Sequence, residues 1–176
     1  MKKIDITFLP SIKGNYFDDD LIIDWCKKLN DSFDFINTYI PKNAEEAKIF
    51  LKKSNAAYGA LTKDLIGHCK NVQWLQAPQA APPPDFYYDE LINHPMMVTN
   101  FRGIYNDHIS HHILAMILSF SKSLNLYIHQ QSKRMWRPIT SNIGSTRYLP
   151  EMKIMIIGLG GIGDETARLC NYFGSE

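Results

Sequence analysis

Lys153-Ile154-Met155-Ile156-Ile157-Gly158-Leu159-Gly160-Gly161-Ile162-Gly163 is the stretch on which the reading of this chain turns. A short apolar run rich in β-branched residues predicts a buried strand. It leads straight into Gly158, Gly160 and Gly163, spaced as G-x-G-x-x-G. From Asp164 to Phe173 the spacing turns helical, with Ile162, Ala167, Leu169, Cys170 and Phe173 available for an apolar side. Strand, glycine turn and helix, in that order, predict the opening of a dinucleotide-binding lobe. The first glycine permits the tight turn, the second lets backbone approach a pyrophosphate, and the third lets helix and strand pack closely. The free N–H groups of the helix N-terminus would face the phosphates. An acidic residue for the ribose hydroxyls is expected about 20 residues beyond the motif, which is past Glu176.

The rest of the chain sets the bounds. Its 176 residues suggest one domain or slightly more, and 45% hydrophobic with 21% charged residues fits a globular protein. Nineteen basic against eighteen acidic residues give a net charge of +1, so no nucleic-acid or membrane partner is expected. Cys26, Cys69 and Cys170 lie far apart and predict buried thiols in a reducing, cytoplasmic setting. Met1-Lys2-Lys3 is followed by Ile4-Asp5-Ile6 and not by a long apolar run, so no secretory leader is expected.

Upstream, strands and helices alternate. Ile4–Leu9, Phe33–Ile40, Ala56–Gly59, Val72–Gln76 and Met96–Thr99 read as strands, and helices fall between them. Asn43 and Thr62 stand at helix starts as caps. Such alternation predicts an α/β fold with a parallel, doubly wound sheet, whose ligands sit outside the carboxyl ends of the strands. The loop from Ala77 to Pro84 and the segment Asn100-Phe101-Arg102-Gly103 are therefore the places for a site, with Arg102 offering a cation to an anionic substrate. One long helix is predicted from Tyr105 to about Asn125, its stripe made by Ile109, Ile113, Met116 or Ile117, Phe120 and Leu124. A second helix is predicted over Leu126–Met135.

His108 and His112 stand at i, i+4, but Ile109 occupies the place where a zinc-protease helix carries glutamate. No third ligand follows, and no metal site is expected. Ser110 lacks a nucleophile elbow, so serine hydrolysis is not expected either.

The order of these features resembles the D-isomer-specific 2-hydroxyacid dehydrogenases. Val72-Gln73-Trp74-Leu75-Gln76-Ala77-Pro78-Gln79-Ala80-Ala81 is similar to the family's strand and substrate-carboxylate loop. Val98-Thr99-Asn100-Phe101-Arg102-Gly103-Ile104-Tyr105 resembles the crossover into the nucleotide lobe, and Ser110-His111-His112 stands where the family has alanine, glutamate, histidine. Trp136 matches the tryptophan that closes the following helix.

The resemblance implies a flavodoxin-like substrate lobe over 1–100. A long-helix dimerisation segment would follow over 101–150, and 151–176 would be the opening strand and helix of a Rossmann lobe. It implies hydride transfer between 2-hydroxy and 2-oxo acids, NAD or NADP as cofactor, a small 2-oxo or 2-hydroxy acid as substrate, and a homo-oligomer. Gly158, Gly160, Gly161, Ile162 and Gly163 would line the pyrophosphate, and His108 would lie near the nicotinamide. Ala80 and Ala81 would meet the substrate carboxylate.

Three departures stand out. Ala81-Pro82 replaces glycine-valine in the carboxylate loop, and Pro82 has no N–H to donate. His111 replaces the helix glutamate. The family's catalytic arginine, glutamate and histidine come after the glycine motif, beyond Glu176, so no catalytic residue is assigned. The expectation is therefore a truncated family member, inactive by itself and prone to associate through its long helix. The alternative is a non-catalytic module that pairs with an intact paralogue.

Overall fold

The computed structural model describes residues 3–11, 16, 20–139 and 146–176. Residues 1–2, 12–15, 17–19 and 140–145 lie outside the described residues. The chain forms two compact units, Met1–Arg102 and Gly103–Glu176.

The first unit alternates strand and helix: β1 (Ile4–Phe8), α1 (Asp20–Ser32), β2 (Ile36–Tyr39), α2 (Ala44–Lys53), β3 (Ala56–Tyr58), α3 (Lys63–Ile66), β4 (Trp74–Gln76), α4 (Asp89–Ile92) and β5 (Met97–Thr99). The strands form one sheet in the order β2-β1-β3-β4-β5, and every pairing is parallel. This is the flavodoxin-like order, with the direction of winding reversing between β1 and β3. The expected α/β, doubly wound architecture is present.

Local chemistry explains the boundaries. Asn43 caps α2 by accepting a hydrogen bond from the Glu46 backbone N–H at 3.0 Å. Thr62 precedes α3 as expected, but its hydroxyl donates to the Asp64 carboxylate and accepts from no helix N–H. Between β4 and β5 the chain forms a 3-10 turn, Pro84–Phe86, and then α4, because Pro84 favours a tight first turn with no N–H to place.

Successive strand residues face opposite sides of the sheet. Leu9, Ala57 and Leu75 face α2, α3 and α4, where Ala47, Leu51, Leu65, Ile66 and Leu91 complete the larger core. Phe8 and Ile6 face the other way, onto Ile22, Cys26 and Leu29 of α1. That second face is bare over β4 and β5, where Trp74 and Met97 stand exposed. A buried hydroxyl pair, Thr7 and Ser54 at 2.7 Å, ties β1 to the end of α2, and Ser54 also donates to the Phe50 carbonyl.

The second unit holds α5 (Asn106–Ser121), α6 (Leu124–Ser132) and α7 (Gly161–Tyr172). The helix predicted from Tyr105 to Asn125 therefore ends earlier, where Ser123 takes a left-handed conformation with φ 54° and starts α6. The packed face of α5 shares only Ile117 with the predicted stripe. Ser110, Leu114, Ile117 and Leu118 turn inward with Leu149 and Cys170, whereas Ile109, Met116, Phe120 and Leu124 are exposed. Apolar residues surround most of this helix, so periodicity alone offered two faces. Helix α7 lies closely along the one that carries the small Ser110.

Residues 152–157 lead into α7 as an extended segment and not as the buried strand that the β-branched run predicts. The Ile154 N–H donates to the Glu176 carbonyl at 2.8 Å, and the Glu176 N–H donates to the Met152 carbonyl at 3.3 Å. These two bonds flank Lys153 in the pattern of a parallel ladder. Extended segment, helix and parallel return are the parts of a βαβ crossover. No described strand pairs along the rest of the segment, and Met155 and Ile157 are 87% and 93% exposed.

Candidate functional site

Each glycine of the motif has its own physical reason. Gly158 has φ +99°, a left-handed conformation that side chains rarely adopt, and it ends the extended segment. Gly163 abuts it: a Cβ at Gly163 would collide with the Gly158 carbonyl oxygen, which is backbone and cannot swing away. Gly160 differs again. It caps α7 in an ordinary extended conformation, and a Cβ there would meet open space. At Gly160, as beside Gly158, the space outside the chain is free for a ligand to come close. The first-turn N–H groups at Gly161, Ile162 and Gly163 have no acceptor inside the helix and lie beside that opening.

Helix α5 holds this turn in place. A Cβ at Gly161 would collide with the Asn106 amide. One turn on, the buried Ser110 hydroxyl donates to the Ile162 carbonyl at 3.0 Å, and Thr166 donates to the same carbonyl at 2.7 Å. Both hydroxyls are buried and satisfied, which locks α5 against α7. Ser110, a hydroxyl without a nucleophile elbow at the position of the family's alanine, packs and anchors here. The signal was available as a small polar residue opposite the G-G-x-G turn, but only a three-dimensional pairing of α5 with α7 makes it legible.

His108 sits exposed in the first turn of α5, its backbone N–H bonded to Asp107 Oδ1 at 2.8 Å. His112 lines an apolar groove of about 490 Å³ on the exposed side of α5, with Ile113, Met116, Ile117 and Phe120. Among the described residues no three histidine, cysteine or acidic side chains converge as a metal site. On α7, Arg168 bonds Glu165 and holds its carboxyl below the usual carboxylate range. Trp136 is 79% exposed and stacks on Tyr127 of α6.

The loops at the carboxyl ends of β1, β3, β4 and β5 form the corresponding region of the first unit. The Ala77 N–H is bound to the Thr99 carbonyl at 2.7 Å, which fixes the start of the Ala77–Pro84 loop. Beyond it, the backbone N–H groups of Ala80 and Ala81 donate to no acceptor among the described residues. Pro82 follows with none to give. Gln76 accepts from the Thr99 hydroxyl at 2.6 Å, and Trp74 Nε1 donates to that hydroxyl at 2.7 Å, so the strand ends are cross-braced. Arg102 is exposed at the end of this unit and forms no ion pair among the described residues.

Gly59, which sequence reading treated only as the end of a strand, shapes this edge. Its φ is +110°, and a Cβ would collide with the Leu9 carbonyl. The chain after β3 can therefore press against the chain after β1, where the Ala60 N–H donates to the Pro10 carbonyl at 2.9 Å. Above this floor lies a cleft of about 150 Å³ lined by Ser11, Ala60, Leu61, Thr62, Gln79, Pro83, Asp85, Phe86 and Tyr88. The Tyr88 hydroxyl donates to the Leu61 carbonyl at 3.2 Å, and burial first, then nearby negative charge, pushes its pKa up. It stays a neutral, fixed donor.

No family model matches the sequence. No curated protein sequence matches it either. Solved structures do match by fold. A D-isomer specific 2-hydroxyacid dehydrogenase family protein from Aeromonas salmonicida superposes with a TM-score of 0.75 at 21% identity, over 99% of this chain and 52% of that one. A D-lactate dehydrogenase from Treponema pallidum gives 0.71 at 20% identity, over 98% and 51%. The NAD-complexed D-isomer specific 2-hydroxyacid dehydrogenase from Lactobacillus delbrueckii ssp. bulgaricus gives 0.73 at 10% identity, over 98% and 52%. The chain thus has the fold of about half of these dehydrogenases and spans about half their length.

Proposed function

We propose that the chain forms the substrate-carboxylate loop and the pyrophosphate turn of an NAD- or NADP-dependent oxidoreductase that interconverts 2-hydroxy and 2-oxo acids. The observation that carries this reading is the glycine turn: Gly158 in a left-handed conformation, Gly163 butted against its carbonyl, and Gly160 open to the outside. That division of labour is what a dinucleotide requires of the three positions. The fold shared with the dehydrogenases supports the same reading.

In this reading the first-turn amides at Gly161, Ile162 and Gly163 hold the pyrophosphate, and His108 lies toward the nicotinamide. The unpaired Ala80 and Ala81 amides receive the substrate carboxylate, with Arg102 as a further cation. The bound nicotinamide supplies or takes the hydride. None of these residues is placed as the general acid–base, so binding and orientation are assigned to the 176 residues and proton transfer is not.

A fluorescence titration with NADH tests this. Saturable binding that is lost in Gly160→Val supports it; no binding up to millimolar NADH, or unchanged binding in the variant, overturns it. A second reading, a pairing module that binds another copy or an intact paralogue, is favoured by the exposed apolar face of α5. Concentration-dependent mass in analytical ultracentrifugation, abolished by Met116→Glu, would support that reading. A monomer at all concentrations would remove it.

A further inference from the structure

The cleft above Gly59 has a position and a lining that together specify a ligand. It is built from the loops that follow β1, β3 and β4, at the reversal of winding where doubly wound sheets hold their ligands. Gln79 and Pro83 both line it, so the Ala80-Ala81 turn is its immediate neighbour. At about 150 Å³ it is too small for a nucleotide and suits the tail of a small molecule.

Its walls are of two kinds. Ala60, Leu61, Pro83 and the rings of Phe86 and Tyr88 offer an apolar channel for an aliphatic stem. The polar groups are mostly committed: the Tyr88 hydroxyl to Leu61, the Thr62 hydroxyl to Asp64, and the Ser11 hydroxyl to Tyr58. The Asp85 carboxylate is exposed and forms no ion pair among the described residues. No cation lines the cleft among those residues. Lys63, outside that lining, is drawn over the Tyr88 ring and toward Glu90. A second carboxylate or a phosphate would meet Asp85 with no cation among the described lining residues to offset the repulsion. A cation would meet a carboxylate and two aromatic rings.

We propose that this cleft takes the cationic tail, amino or guanidino, of a substrate whose carboxylate rests on the Ala80-Ala81 amides. The inference rests on the substrate-carboxylate reading above, and the two separate experimentally because head and tail can be probed apart. The ¹⁵N-labelled chain is titrated with pyruvate, which carries only the head, and with butylguanidine, which carries only the tail. Butyrate serves as an anionic tail of similar length.

Butylguanidine is expected to shift the amides of Leu61, Asp85 and Phe86 saturably, and Asp85→Asn to weaken it about fivefold. Asp85 is exposed, so this variant should leave the fold intact. Equal or tighter binding of butyrate, or no weakening in Asp85→Asn, overturns the inference. Pyruvate shifts at Ala80 and Ala81 without butylguanidine shifts would leave the carboxylate reading standing and remove the cationic tail. The reverse pattern would keep the cationic cleft and remove the carboxylate reading. Failure of both probes would overturn both.

Discussion

Strand β1 and the segment 152–157 are built from the same kind of sequence and meet different fates. Each is short, apolar and extended. β1 pairs with β2 on one side and β3 on the other, and its Thr7 is fully buried. The glycine-motif segment makes two ladder bonds, both to Glu176, and leaves Met155 and Ile157 in the open. Local propensity sets an extended backbone in both places. Burial comes only from neighbours, so an apolar run predicts a conformation more securely than it predicts an environment.

Substitutions at matched positions sharpen the contrast, and the largest effect belongs to the sheet. Leu75, fully buried in β4, faces the larger core. Leu75→Ala should cost about 2–5 kcal/mol in denaturant unfolding. Gly163→Ala comes next: its new methyl would press on the Gly158 carbonyl, and a loss of about 1–3 kcal/mol is expected for the second unit. Gly160→Ala, in open space, should leave that unit's melting unchanged while weakening NADH. An equal stability loss in both glycine variants would refute the assignment of separate roles.

Smaller effects test burial through pH. Burial pushes the Cys69 thiol from 9.0 to about 12. The folded-state pKa is the raised one, so this contribution is whole below pH 9 and is lost as the pH climbs toward 12. Cys69→Ala should flatten the alkaline limb of the stability curve relative to the unmodified chain, as read in urea melts at pH 8 and pH 10.5. The smallest effect should be Ile157→Ala, which is expected within about 0.5 kcal/mol of the parent. A loss near that of Leu75→Ala would mean that the segment is covered in solution.

How much was visible beforehand follows the same division. The alternation of strands and helices, the Asn43 cap and the glycine triad are local, and residue order alone exposes them. The packed face of α5 was not legible. Leu114, Ile117 and Leu118 compete with Ile109, Met116 and Phe120 around one helix, and Ser110 settles the choice by letting α7 come close. The cleft was also hidden, because Ser11, Ala60 and Asp85 become neighbours only through the crossing order of the sheet. The free amides at Ala80 and Ala81 depend on backbone geometry that carries no residue signature.

The placement of the tryptophans has an optical consequence. Trp25 lies edge-on to Tyr58, and the half-exposed Trp74 is hydrogen-bonded through its indole nitrogen; both belong to the first unit. Trp136, the one indole of the second unit, is already largely in water. Intrinsic emission on heating will therefore follow the sheet and stay nearly silent about the glycine turn. Melting of the turn will have to be watched by the far-ultraviolet signal of α5 and α7, or by a tryptophan placed at Tyr172.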